Sequence, residues 1–93
     1  MARNGRKNTV RVRVVSPDAT LFDGVALGLV SINDTGEFTV LPQHINFISL
    51  IRDRAIVMLP GGERKIIPLE AGVIRCQGGV IEVFAGLSLL APG

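Results

Sequence analysis

The sequence predicts an all-β domain on three observations: ten short runs rich in valine and isoleucine, turn signals between them, and no capped stretch with apolar residues at helical spacing. At 93 residues the chain is long enough for one core and too short for two. Its apolar fraction is 47%, yet no window approaches the length a membrane-spanning helix needs. Such a pattern builds either a sandwich or a small barrel.

The first run, residues 10–15, alternates Val10, Val12 and Val14 with Arg11 and Arg13, so one face is apolar and the other charged. Ser16-Pro17-Asp18 ends it, and residues 20–22 form a short second strand before Asp23-Gly24. Residues 25–32 and 37–41 flank Asn33-Asp34-Thr35-Gly36, a type I turn closing on a residue with positive φ, where glycine avoids the Cβ clash. That makes them a hairpin. Pro42-Gln43 bends the chain into residues 45–51, and Arg52-Asp53-Arg54 separates these from residues 55–59. Pro60-Gly61-Gly62 leads to residues 63–67, Gln77-Gly78-Gly79 joins 72–76 to 80–84, and 87–90 is the last run.

Two runs are apolar on both faces. Residues 25–32 set Val25, Leu27 and Leu29 against Ala26, Val30 and Ile32, and residues 45–51 set Ile45, Phe47 and Ile51 against Ile48 and Leu50. A sandwich strand normally has one wet face. Either another molecule covers part of the outer surface, or these strands are enclosed in a small barrel.

The net charge of +2 conceals an asymmetry: Arg3, Arg6, Lys7, Arg11 and Arg13 all precede the first acid, Asp18. Residues 1–9 read as a basic arm and residues 10–91 as the folded domain. The arm is expected to be a solvated tail, with an anionic surface as the alternative partner. No apolar segment follows the basic start, which points to a cytoplasmic chain without a secretory signal.

The chemistry-bearing residues do not assemble into a catalytic set. His44 is the single imidazole, and Ser16, Ser31, Ser49 and Ser88 lack a nucleophile elbow. His44 and Cys76 give no metal-ligand spacing, and Cys76 in a strand reads as a small buried hydrophobe. The paired glycines lack the lysine and helix of a phosphate loop. No enzyme activity, metal or cofactor is expected. A pI near 9.3 admits a stand-alone β-barrel module for single-stranded nucleic acid. That alternative is weakened by four Phe without Tyr or Trp, and by basic charge gathered in the arm.

The segment Gly36-Glu37-Phe38-Thr39-Val40-Leu41-Pro42-Gln43-His44 carries a family resemblance. It is similar to the GELGILPGHAPL segment of the N-terminal β-sandwich of F-type ATP synthase epsilon subunits, with Gly36, Glu37, Pro42 and His44 matching by position. Val14-Val15-Ser16-Pro17-Asp18, Leu21-Phe22-Asp23-Gly24, Leu69-Glu70-Ala71-Gly72-Val73-Ile74 and Val80-Ile81-Glu82-Val83-Phe84 resemble further segments in the same order. The resemblance implies a ten-stranded antiparallel β-sandwich and a non-catalytic rotor subunit. It further implies binding to the gamma subunit and the membrane c-ring at the cytoplasmic face, coupling ion translocation to ATP synthesis or hydrolysis.

By position, Glu37 corresponds to the acid facing the c-ring loops, and His44, with its neighbour Gln43, to the gamma contact. Gly36 makes the turn and Pro42 the bend. Three positions depart from the family's pattern: Gln43 replaces a glycine, Asn46 a proline, and Ala71 one glycine of a pair. The family commonly continues into a C-terminal helical hairpin, and a sequence ending at Gly93 reads either as a short form without it or as a truncated piece of a longer chain.

Overall fold

A computed structural model describes residues 8–86; most of the basic arm, the run expected at 87–90 and the end of the 10–91 domain lie outside them. Seven strands are present among the described residues: β1 (Val10–Val15), β2 (Thr20–Ala26), β3 (Gly28–Asn33), β4 (Gly36–Val40), β5 (Phe47–Met58), β6 (Arg64–Gln77) and β7 (Val80–Ala85). The all-β class agrees with the sequence. The count differs from ten because residues 45–51 and 55–59 fuse into β5, residues 63–67 and 72–76 fuse into β6, and 87–90 is not described.

The strands follow the order β2-β1-β7-β6-β5-β3-β4. Five of the six pairings are antiparallel, including the expected hairpin from Asn33↔Gly36 to Leu29↔Val40. The sixth departs from the antiparallel expectation: β1 and β7 run parallel, from Arg11↔Val80 to Val15↔Phe84. No hairpin joins these two strands, so no turn fixes their relative direction, and alternation of side chains is the same either way.

One sheet becomes two layers at a corner in β5. The β5–β6 register passes from Arg52↔Ala71 to Asp53↔Leu69, leaving Glu70 as the extra residue of a bulge. On the other side the β3–β5 register jumps from Ser31↔Ala55 to Ile32↔Arg52, skipping Asp53 and Arg54. Asp53 sits at φ 72, a left-handed conformation that aspartate tolerates better than most residues. The skipped ladder leaves the Arg54 carbonyl without a strand partner at that step, and the fully buried Ser31 hydroxyl donates to it at 2.8 Å.

The inner faces then meet in a single core. Val12, Val14, Ile74, Cys76, Ile81 and Val83 from one layer pack in the same cluster as Leu29, Val40, Ala55, Val57 and Ile67 from the other. Gly72 is required where the strands come closest: a Cβ there would lie 2.7 Å from the Phe84 carbonyl oxygen of β7.

The structure also explains the two-sided run at 25–32. It is not one strand: β2 ends at Ala26, β3 starts at Gly28, and Leu27 donates its N–H to the Met58 carbonyl at 2.7 Å. The buried positions change parity across this crossing, from Ala26 to Leu29 and Ser31. The run at 45–51 is different. Phe47 and Ile51 turn inward, while Ile48 and Leu50 stay exposed, so a barrel enclosing this strand is excluded.

Ser31→Ala tests the corner, because it leaves the part-buried Arg54 carbonyl without its side-chain donor. Urea unfolding should show a loss of about 1–3 kcal/mol with an unchanged m-value, whereas an unchanged midpoint would mean that the corner does not depend on this hydroxyl.

Candidate functional site

Gly36, at φ 121 with open space around its α-carbon, closes the β3–β4 turn for conformational reasons alone. Glu37 follows it, paired across the hairpin with Ile32 and exposed on the outer face of β4. Its carboxylate has a neighbour that the sequence did not reveal: Arg54 Nη2 lies 3.5 Å from Glu37 Oε2. The two residues are far apart in the chain and meet because β5 turns its corner at Asp53. Both side chains are largely solvated, so the pair contributes of order 1 kcal/mol or less.

After β4 the chain makes a tight turn. Pro42 occupies the second position, Gln43 the third at φ 70, and the His44 N–H donates to the Leu41 carbonyl at 3.2 Å. Positive φ at the third position is the requirement of a type II turn, normally met by glycine. Gln43 therefore stands at the one place in the bend where a side chain is strained, at about 1–2 kcal/mol.

His44 Nδ1 lies 2.9 Å from the Ile45 carbonyl oxygen, which can only accept, so Nδ1 carries the proton and Nε2 is left for another partner. The imidazole packs 5.0 Å from the Phe47 ring, which meets Phe38 edge-on at 6.2 Å. These two phenylalanines rest on the core. His44 is thus both anchored by the fold and exposed at its surface.

Several aliphatic side chains near this turn and on the strand after it are exposed, Leu41 beside Gly28 and Met58 and the others along residues 45–50. Leu41 is 53% exposed, Ile45 76%, Ile48 69% and Leu50 58%. The fused strand β5 carries the last two outward, next to Arg75 and Val73 of β6. The two-sided pattern of residues 45–51 was the sequence signal for this surface. Glu37 and the residues at 43–44 are brought to opposite ends of β4 and its turn, not into one pocket.

Nothing here resembles a catalytic constellation. Ser16 bonds to the backbone of Asp18 and Ala19, Ser31 to Arg54, and Ser49 to the Leu50 carbonyl. Ser88 lies outside the described residues. Burial pushes the Cys76 thiol above its usual range, which keeps it protonated and inert. Among the described residues no three His, Cys, Asp or Glu side chains gather as metal ligands.

The arginines of the outer face are also spoken for. Arg11 reaches Asp23 at 2.8 Å, Arg13 bridges Asp23 at 3.9 Å and Glu82 at 3.5 Å, and Arg75 pairs with Glu82 while lying over the Phe84 ring. Their register makes this one ladder across β2, β1, β7 and β6. A self-paired ladder is not the free basic groove that a single strand of nucleic acid needs.

Residues 9–87 match the family described as ATP synthase, Delta/Epsilon chain, beta-sandwich domain. An ATP synthase epsilon chain of Psychrobacter cryohalolentis is 33% identical over 84 residues, covering 89% of this chain and 61% of the relative. One from an Exiguobacterium species is 30% identical over 86 residues, covering 90% and 62%. The chain thus spans less than two thirds of the length of these relatives. Among solved structures, a chain of the Euglena gracilis mitochondrial ATP synthase, OSCP/F1/c-ring, superposes with a TM-score of 0.77 at 15% identity, covering 84% of this chain and 51% of that one. A chain of the Tetrahymena thermophila mitochondrial ATP synthase central stalk and c-ring gives 0.66 at 6% identity, covering 81% and 61%. Both share the fold.

Gln43→Gly relieves the left-handed strain and should raise stability by about 1 kcal/mol in chemical denaturation. A loss of stability on this substitution would show that the glutamine side chain holds the bend together.

Proposed function

Because this chain belongs to the delta/epsilon β-sandwich family of ATP synthase, we propose that it is a non-catalytic rotor subunit, binding the gamma subunit and the c-ring. It stands peripherally at the cytoplasmic face of the membrane and couples ion translocation to ATP synthesis or hydrolysis. The observation that carries this reading is the exposure of Ile45, next to His44, and of Ile48 and Leu50 on the strand that follows. Aliphatic side chains this exposed in one stretch suit burial against another protein.

The arrangement of β4 supports a mechanical role. Glu37 lies near its start and the Pro42 bend just past its end, about 17 Å along an extended strand. A rigid strand between two contact points transmits displacement without deforming. On the ring side, the basic groups of a polar loop would compete with Arg54 for the Glu37 carboxylate. On the stalk side, gamma would meet Gln43, the free Nε2 of His44, and Ile45, Ile48 and Leu50. Neither contact requires chemistry from this chain, and ion flow reaches it only as torque.

Co-purification with the gamma subunit and c-ring of its own ATP synthase tests the reading. The wild-type chain should be retained by both. Glu37→Lys should keep gamma and lose the ring, with a Tm within a few degrees of wild type, since it removes only a solvated ion pair. A wild-type chain that ignores gamma and ring alike would contradict the proposal, and a large drop in Tm would make Glu37 structural.

A further inference from the structure

Among the described residues the two layers expose four strand edges, and three of them are blunted in recognisable ways. Strand β2 carries Asp23 at its edge and meets β1 across a bulge at Val14/Val15. Strand β4 is short and opens with Gly36 and Glu37. The outer half of β6 carries Arg64, Lys65 and Pro68. Charges, proline, bulges and brevity are the means by which sheets prevent edge-to-edge pairing.

The fourth edge is as short as β4 but carries no charge, proline or bulge. Residues 47–51 of β5 pair with β6 on one side, and the pairing with β3 begins only at Arg52. This edge reads Phe47-Ile48-Ser49-Leu50-Ile51. Ile48 and Leu50 flank it with exposed side chains. Two concave surfaces that share Asn33, Asp34 and Leu50 border it. One is lined by Asn33, Asp34, Thr35, Ile48, Ser49 and Leu50, the other by Asn33, Asp34, Leu50, Arg52, Glu70 and Ala71 among others.

We propose that residues 47–51 of β5 form a strand-addition site, on which an extended segment of the gamma subunit pairs as one more strand. This rests on the functional reading above and specifies how that partner docks. Main-chain hydrogen bonds supply the affinity in strand addition, and pockets for alternate side chains supply the selectivity. The incoming segment carries two apolar residues at alternate positions, to cover Ile48 and Leu50. It also carries a lysine or arginine at the end nearest the β3–β4 turn. There Asp34 and Glu70 line the same concavity and, among the described residues, neither is held in an ion pair, while Arg52 is the single cation beside them. Ser49, whose hydroxyl already bonds to Asn33 and the Leu50 carbonyl, keeps the edge straight and uncharged.

Amide hydrogen exchange, read residue by residue by NMR on the full chain with and without the gamma subunit, tests the site. In the free chain every second amide of residues 47–51 should exchange fast, because its N–H points away from β6. On binding gamma these amides should slow by on the order of 100-fold, while the edge amides of β4 and of residues 64–69 keep their rates. Binding of gamma without slowing at 47–51 overturns strand addition and leaves the rotor reading intact. Failure of gamma to bind overturns both.

Discussion

The hydrogen bond from the Ser31 hydroxyl to the Arg54 carbonyl holds the corner on which the rest of the molecule depends. A continuous sheet of seven strands has no interior, and this one acquires a core only by turning back on itself within β5 and β6. Turning requires that the ladder skip residues, and skipped residues expose polar backbone that must be satisfied if it is buried. Asp53 supplies the left-handed step, Glu70 the extra residue opposite, and Ser31 the missing donor. The same corner swings Arg54 beside Glu37. It also ends the β3 pairing at Arg52, which leaves residues 47–51 as an open edge.

That corner explains what was legible in the sequence and what was not. Period-two alternation in residues 10–15 and 80–84 and the glycine turns at 36, 61–62 and 78–79 place strands and hairpins, because those signals are local. Arg52-Asp53-Arg54 carries the composition of a turn, and it is a bend inside one strand; polarity alone does not distinguish the two. The parallel β1–β7 pair joins the chain's distant ends and leaves no local mark. At the candidate site, the exposed face of Ile48 and Leu50 was signalled by a strand apolar on both sides. The Arg54 partner of Glu37 was not, since it exists only once β5 has turned.

The position of Gln43 shows how a motif converts into conformation. A glycine in that place of the family's segment answers to a positive φ, and this chain keeps the same φ of 70 with a larger residue. The strain is retained at an exposed turn, next to the exposed His44 and Ile45. On the outer face that carries Ile48 and Leu50, the neighbouring arginines and acids close on one another in a ladder, which offers a partner little charge.

In the proposed function this chain stands between the ring and the stalk with β4 as the connecting rod. An electron cryo-microscopy map of the ATP synthase assembled with this chain tests it most directly. Glu37 should lie against the polar loops of the c-ring, with residues 43–50 buried on gamma and Ile66 of β6 left in solvent. A map in which the chain is absent from the rotor, or sits there with residues 43–50 facing solvent, would contradict it.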